Sequence, residues 1–527
     1  MIALDSRRLS FIILGIALIA GVFFFRFTAD DGFITARYAE HLVDSGALVF
    51  NSGERVSALT SPLHAMVEAG LYAATGQTII AYKVLGALLL IGTGLILISR
   101  FPANRAIVAF LALSPQVLLW TFGGLETPIL LLLIALFAVT AHADSLSDRR
   151  RLGLLAIIAG VAFITRFDSV LFTAPVLIHA ALKNRRVKDI ATALGLGAII
   201  PVIWIAFAAL YYGDIFPTSF YVKTPTLHGE RMVECAVNIV EFLLFTGFLP
   251  LMMAGVLIAR RHLPEALRDH LRRVLPLLMG LGGIIAYGQL TGMIHMMFSF
   301  RMFVPYIPAM AVILCDLFGR LREPIARMME SSRGRVIIMS GILLAIAFQG
   351  SESGVIYLRS LNGVSLVGEY RHIGIAGYMD DFIPVLFADA EDIEAHWRTV
   401  MGASQQGWPA RVMTFAAGAL PYHFRATYIF EPLVSFFHSC KANGAESADY
   451  IHLLGATLDE AAASLPKPLA HYQLISYHTI IFDGAPRSFF VLYDPSPYCN
   501  PLPPTVNGPC TDCTDEHTVG NEIVYDR

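Results

Sequence analysis

Long apolar runs separated by short polar segments fill the first two thirds of the chain. A membrane-spanning helix needs about 20 mostly apolar residues, and the first run is expected to be retained rather than cleaved as a signal peptide. The eleven predicted spans lie at 9–27, 79–99, 105–121, 126–143, 152–165, 168–182, 189–211, 236–258, 274–294, 301–319 and 336–350. The run at 62–75 would cover only about 21 Å of a roughly 30 Å core, so we expect a helix near the outer surface there.

The pattern changes after residue 350, where hydropathy falls and strand-like alternation begins. The stretches "YQLISYHTIIFDG" and "SFFVLYDP" alternate apolar and polar positions, which is typical of half-buried strands. The sequence therefore predicts a transmembrane domain at 1–350 and a mixed α/β soluble domain at 351–527. A length of about 175 residues suits one such domain.

The basic residues indicate how the chain is oriented. With 56% hydrophobic and 15% charged residues, the composition is that of a polytopic membrane protein. Lys and Arg favour cytoplasmic segments, and 21 of the 38 basic residues fall in alternate connections that an internal N-terminus would place inside. The same alternation places the domain at 351–527 on the outer face.

The cysteines are unevenly distributed. Four of the six lie in the exported part, at Cys440, Cys499, Cys510 and Cys513. In an oxidising compartment this even number predicts two disulfides whose pairing stays open, and a metal site at "CTDC" is a weaker alternative. The remaining two, Cys235 and Cys315, are expected to be packing residues.

Unusual polar residues collect in the predicted outer loops. The carboxylates are Asp30, Asp31, Glu126 and Asp168, and the cations are Arg37, Arg166, Lys223 and Arg301. Charges beside helix ends are often solvated anchors. Two of these residues, Arg166 and Asp168, stand between two runs too short to cross the core, and an ionisable pair at membrane depth indicates a functional site.

This combination of charges suits the transfer of a sugar from a lipid phosphate. A carboxylate can take the proton of an attacking hydroxyl, while Arg or Lys stabilises a leaving phosphate. No dinucleotide, P-loop, zinc-protease or nucleophile-elbow motif competes. Because an exported site has no nucleotide supply, its activated donor must be carried on lipid.

Several segments resemble one family of membrane enzymes. They are "DDGFITARYAEHLVDSGALVFNSGERVSALTSPL" (30–63), "FGGLETP" (122–128), "TRFD" (165–168), "YYGDIFPTSFYVK" (211–223), "FSFRMFVPYIP" (298–308) and, more weakly, "AAGALPYHFRATYIFEPL" (416–433). In this order they resemble the GT-C glycosyltransferases, specifically the group around the mycobacterial terminal arabinofuranosyltransferase. The stretch "SALTSPLH" departs from the expected "EGYTSPLW" at Ser57 and His64.

The resemblance implies a fold, a reaction and a set of site residues. Such proteins are polytopic α-helical GT-C enzymes of a bacterial plasma (inner) membrane, and they transfer a sugar from a polyprenyl phosphate on the outer, periplasmic face. By position, Asp30 is expected to be the base and Asp31 to orient the acceptor. The lipid phosphate is expected to bind Arg301, Lys223 and Arg166. Sugar or acceptor contacts are expected from Glu126, Asp168, Arg37, Tyr38, Tyr212 and His64, with Glu126 and Asp168 alternatively fixing the cations.

The expected reaction is transfer of D-arabinofuranose to an envelope glycan or an exported protein. Its partners are then a polyprenyl-phosphate sugar, that acceptor and membrane lipids, with no nucleic acid. No cofactor is expected beyond the lipid-linked sugar, and a divalent metal is neither required nor excluded, because a lone acidic pair does not define a metal site. The alternatives are a GT-C transferase for mannose or aminoarabinose, acting on protein or lipid A, and a transporter of a lipid-linked precursor.

Overall fold

The structure is a computed structural model. It describes residues 21–184, 186–222, 229–291, 299–362, 378–401, 410–414, 418–424, 427–430, 448, 450–462, 472–482 and 485–493. Side chains are described for these ranges except at 221–235, 291, 350–362, 401, 427–430, 455, 462, 481–482 and 485. Residues 9–20 of the first predicted span and the cysteines Cys440, Cys499, Cys510 and Cys513 therefore lie outside the described residues.

Helices make up most of the described chain. The first pair of helices is α1 (Asp30–Ser45) and α2 (Pro62–Thr75). The bundle continues through α3 (Ile79–Arg100), α4 (Arg105–Ala112), α5 (Pro115–Phe122), α6 (Thr127–Ala141), α7 (Asp148–Thr165), α8 (Val170–Asn184) and α9 (Val187–Tyr212). It ends with α10 (Thr218–Val222), α11 (Gly229–Phe245), α12 (Phe248–His262), α13 (Pro264–Thr291), α14 (Ile307–Arg320), α15 (Arg322–Glu330) and α16 (Ser332–Asn362).

Each of the ten predicted spans from residue 79 onward coincides with one or two of these helices. By length and composition, four helices in the described part could cross a membrane alone, and up to seven could if each bent pair counts as one span. The helices α6 and α8 have 15 residues each, or about 22 Å, which is less than the core thickness. The helix expected near the outer surface is present as α2.

Two spans predicted as continuous helices are bent. The segment 105–121 breaks between α4 and α5, which meet at 66°, and the segment 236–258 breaks between α11 and α12, at 71°. Pro115 explains the first bend because it disfavours helical geometry at the residue before it. At the second, Gly247 has a φ of 74°, a left-handed conformation that ends a helix readily.

The C-terminal part of the chain, which the basic residues predict to be exported and which is called the exported part below, has a five-stranded mixed sheet in the residues that the structure describes. Its strands are β1 (Ala410–Met413), β2 (Thr427–Phe430), β3 (Tyr450–Gly455), β4 (Gln473–Phe482) and β5 (Ala485–Tyr493), in the order β2-β1-β3-β5-β4. The pairs β1–β2 and β1–β3 are parallel, whereas β3–β5 and β4–β5 are antiparallel. The mixed α/β prediction is confirmed, and the two alternating stretches form the β4–β5 hairpin.

The described residues of this part also form three helices. They are α17 (Ile383–Met401), α18 (Ala419–His423) and α19 (Leu458–Ala462), and a short turn, Tyr378–Phe382, precedes the first of them. The boundary predicted at residue 350 falls within α16, and the division into two domains stays a prediction. Of the two predicted packing cysteines, Cys315 is a buried free thiol in the core, and the side chain of Cys235 is not among those described.

Candidate active site

The acidic pair Asp30–Asp31 forms the first turn of α1, where carboxylates interact favourably with the helix dipole. The start of the helix is fixed by a hydrogen bond from the backbone N–H of Ala29 to the carbonyl of Gly123, at 2.9 Å. A Cβ atom at Gly32 would lie 2.6 Å from the carbonyl oxygen of Gly124. Close backbone contact thus accounts for the glycine in "DDG" and places the acidic pair against the 122–128 loop, in which Gly124 has a left-handed φ of 72°.

The carboxylate of Asp30 is covered by the exported part of the chain. It accepts hydrogen bonds from the backbone N–H of Ala419 at 2.7 Å and of Gly418 at 3.2 Å. The backbone N–H of Asp30 donates to the hydroxyl of Tyr378 at 2.7 Å. Burial raises the pKa of Asp30 from 3.8 to about 6, against the lowering effect of the Ala419 hydrogen bond. A carboxyl group that titrates near neutral pH suits a general base.

The other aspartate faces a different partner. Asp31 Oδ2 lies 2.9 Å from a terminal nitrogen of Arg301, which follows it by 270 positions in the chain. The guanidinium of Arg301 also lies 5.8 Å from the ring centroid of Trp120. Its Nε–H is buried and has no hydrogen-bond partner among the described residues. Arg301 is therefore anchored on one side and keeps a donor for a further anion.

The backbone before Arg301 adopts an unusual conformation. Ser299 and Phe300 have φ values of 52° and 56°, in the left-handed region that non-glycine residues seldom occupy. The indole N–H of Trp120 donates to the carbonyl of Ser299 at 3.1 Å and holds this turn. Strained backbone that the surrounding structure enforces is often found at functional sites.

A second charged cluster forms around Arg166, at the tip between α7 and α8. Its Nε lies 2.8 and 3.0 Å from the two carboxylate oxygens of Asp168, and a terminal nitrogen lies 2.6 Å from Glu126 Oε1. Glu126 also lies within electrostatic range of Arg301 and His64. The structure thus brings together Asp31, Glu126, Arg166, Asp168 and Arg301 from distant segments, with both carboxylates of the second cluster on Arg166.

Three of the predicted sugar-binding residues hold the 46–61 loop. Arg37 donates from Nε to the carbonyl of Phe50 at 2.9 Å and from a terminal nitrogen to the carbonyl of Pro421. The Tyr38 hydroxyl donates to the carbonyl of Val56 at 2.6 Å and accepts from the N–H of Ala58, and the Tyr212 hydroxyl donates to the carbonyl of Leu48. These contacts are architectural, and sugar binding by these side chains stays a prediction.

His64 is fully buried on α2. Its Nε2 lies 3.3 Å from Glu68 Oε1, and its ring packs on Tyr82 with centroids 4.3 Å apart. The other two polar atoms of this pair, His64 Nδ1 and Glu68 Oε2, have no hydrogen-bond partner in the described part. Binding of the sugar or acceptor by His64 stays a prediction, and Lys223 lies outside the described residues.

Sequence reasoning missed the contribution of the exported part to this site. It did not single out Tyr378, Gly418 or Ala419, nor Glu40, whose carboxylate accepts from the hydroxyls of Thr78 at 2.6 Å and of Tyr422 at 2.9 Å. The signal that could have found part of this set is "AAGALPYHFRATYIFEPL", which contains 418–422.

The fold and these charged clusters define the class of the molecule. It is a multi-pass membrane protein with the GT-C fold. Two structures of ArnT from Cupriavidus metallidurans match it with a TM-score of 0.52, one bound to undecaprenyl phosphate at 13% identity and one in the apo state at 14%. Each match covers 92% of this chain and 98% of ArnT. At such identity the likeness concerns the fold.

The sequence is also similar to a curated protein, the terminal β-(1→2)-arabinofuranosyltransferase of Mycobacterium tuberculosis (strain ATCC 25618 / H37Rv). The identity is 26% over an alignment of 242 residues, and the match covers 41% of this chain and 38% of that protein. The match thus spans less than half the length of this relative. No protein-family model matches the chain. The resemblance to GT-C glycosyltransferases predicted from the outer-loop segments is confirmed.

Proposed function

We propose that this protein is a glycosyltransferase that transfers a sugar from a polyprenyl phosphate to an acceptor hydroxyl on the outer face of the membrane. The observation that carries the proposal is the ion pair of Asp31 with Arg301, at 2.9 Å, directly beside Asp30. It places a carboxylate able to take a proton next to a cation with an uncommitted N–H. The carboxylate can accept the proton of the attacking hydroxyl, and the cation can stabilise the phosphate that leaves the sugar.

In the proposed reaction, an acceptor hydroxyl forms a bond to the anomeric carbon of the donor sugar while Asp30 takes the hydroxyl proton. The bond from the anomeric carbon to the phosphate oxygen breaks, and the polyprenyl phosphate leaves with the electron pair. Arg301 stabilises the charge that grows on the phosphate, because guanidinium groups bind phosphate oxygens in a directed manner. Asp31 orients Arg301.

Arg166 takes a different role in this proposal. Its guanidinium is flanked by Asp168 and Glu126, so two carboxylates already balance its positive charge. A phosphate could bind to Arg166 only if one of these two carboxylates gave up its contact with the guanidinium. We therefore assign the primary phosphate contact to Arg301, and to Arg166 the role of holding Glu126 and Asp168 within reach of the donor sugar.

The substrates and the orientation rest on separate support. The name of the curated relative supports arabinofuranose as the sugar, and the ArnT structure with undecaprenyl phosphate supports a polyprenyl-phosphate carrier. The distribution of Lys and Arg supports an outward-facing site. The exported part, which covers Asp30 through Gly418 and Ala419, would help to bind the acceptor, an envelope glycan or an exported protein.

The test is sugar transfer by the full chain reconstituted in lipid. Radiolabelled polyprenyl-phosphate arabinofuranose is the donor, and unlabelled polyprenyl-phosphate mannose and aminoarabinose are competitors. The variant Asp30→Asn should lose activity, whereas Asp44→Asn, which changes an exposed carboxylate on the same helix, should keep it. Full activity of a correctly inserted Asp30→Asn variant would refute the assignment of the base. Movement of the lipid across the bilayer without any transfer would favour a transporter.

A further inference from the structure

A cluster of ionisable side chains in the exported part joins α17 to β4 and reaches to within electrostatic range of Asp30. Asp389 is fully buried, and its Oδ1 accepts a hydrogen bond from His478 Nδ1 at 2.7 Å. Its Oδ2 lies 2.9 Å from Nε2 of a second histidine, His452, whose Nδ1 lies 3.0 Å from the hydroxyl of Thr414. One carboxylate therefore fixes two imidazole rings.

The hydrogen bond to Asp389 selects the tautomer of His478. In the neutral ring, a proton on Nδ1 leaves a lone pair on the Nε2 atom. This nitrogen lies 3.9 Å from Asp392 Oδ2, and both side chains are partly exposed. Two electron-pair donors thus face each other across a gap that opens to solvent. Ligand atoms of one tetrahedral zinc ion are separated by about 3.4 Å, so a small adjustment of the Asp392 side chain would complete the geometry.

We propose that His478 and Asp392 bind a divalent transition-metal ion, of which Zn²⁺ is the best fit. Potential ligand atoms of Asp389, Asp392 and His478 all lie within 4.8 Å of one another. Asp389 and Asp392 are three residues apart on α17 and so share a face of the helix. A histidine that gives its other N–H to a carboxylate is the usual form of a zinc ligand. Water fills the remaining positions.

The chemistry of the ligands decides between cations. Calcium and magnesium prefer sites made wholly of oxygen atoms, whereas a nitrogen ligand together with carboxylates favours zinc and its neighbours. The proposed ion would clip α17 to β4, which is an edge strand of the sheet. Because α17 follows the turn that carries Tyr378, this cross-link between α17 and β4 would also make the segment that covers Asp30 more rigid.

Metal binding is measured directly on the full chain in detergent, with thiols blocked by iodoacetamide so that the "CTDC" cysteines do not contribute. Zn²⁺ is titrated by calorimetry, and the Tm is followed with Zn²⁺, with Mg²⁺ and after addition of EDTA. The wild-type protein should bind one Zn²⁺ per chain and gain a higher Tm that EDTA reverses. The variants His478→Ala and Asp392→Asn should each bind at least about tenfold more weakly.

Two results would overturn the proposal. One is a Zn²⁺ affinity that is the same in wild type and in both variants, which would make the cluster an ion-pair network only. The other is an equal response to Mg²⁺ and Zn²⁺, which would exclude the histidine ligand. The matched control is Glu391→Gln, because Glu391 lies on the same helix and forms an exposed pair with His423 at 3.1 Å. It should bind Zn²⁺ like the wild type.

Discussion

The carboxylate of Asp30 accepts a hydrogen bond from the backbone N–H of Ala419, 389 positions later in the chain. Through this contact the exported part forms one wall of the candidate active site. Nearby contacts strengthen it, since the hydroxyl of Tyr422 donates to Glu40 at 2.9 Å and its ring packs on Phe33 with centroids 5.0 Å apart. Activity should therefore depend on how the exported part docks on α1.

Enlarging Gly418 should disturb this docking. A Cβ atom there would overlap the backbone carbonyl of Asp30, so Gly418→Ala must push the two segments apart. We expect kcat to fall about 10- to 100-fold, since small displacements of a catalytic group are costly. The control is Gly70→Ala on α2, where a Cβ meets open space and should stabilise the helix by about 0.5–1 kcal/mol. Equal transfer rates for the two variants would contradict the idea that the exported part forms one side of the active site.

The rate should depend on pH through the carboxyl group of Asp30. Its pKa is raised from 3.8 to about 6 by burial, and a base must be deprotonated to work. The rate should therefore fall as the pH drops through about 6. The raised pKa has the opposite effect on stability: between pH 3.8 and 6 the folded state holds more protons than the unfolded state, so stability falls as the pH rises through this window.

The profile of kcat/KM between pH 4.5 and 8 would check this assignment, because it reports the free enzyme. In Asp30→Glu, which keeps a carboxyl group on a longer side chain, any residual activity should retain a titration at a shifted midpoint. A wild-type profile that stays flat down to pH 4.5 would show that the base is a group with an ordinary carboxyl pKa.

Apolar runs along the sequence predicted the helical bundle well, because burial in a membrane demands them. They could not predict the bend at Gly247, since the hydropathy of a segment carries no information on the direction of the helix axis. The contact of Arg166 with Asp168 was foreseeable, as the two are separated by one residue. The contribution of Ala419 to the site could not be foreseen, because this residue acts through its backbone N–H, which almost every residue type has.

Arg301 should matter chiefly for the leaving phosphate. The variant Arg301→Gln loses the positive charge that pairs with Asp31 and stabilises the leaving phosphate. We therefore expect kcat/KM to fall by about 100-fold or more. Arg301→Lys keeps the charge without the planar fork and should recover only part of the rate. Steady-state kinetics with varied polyprenyl-phosphate donor would measure this. The idea fails if Arg301→Lys and Arg301→Gln are equally active.

The cluster of Arg166 should contribute to stability in addition to its proposed contacts with the sugar. Removing the guanidinium in Arg166→Met leaves Glu126 and Asp168 buried without their counter-charge, which typically costs about 3–5 kcal/mol. The triple variant Arg166→Met/Glu126→Gln/Asp168→Asn removes all three charges and should regain much of this free energy. Because it lacks the proposed sugar contacts, it should stay inactive. Thermal unfolding in detergent, compared with transfer assays on the same preparations, separates the two effects. A triple variant less stable than Arg166→Met would show that the polar contacts, rather than charge balance, hold this tip together.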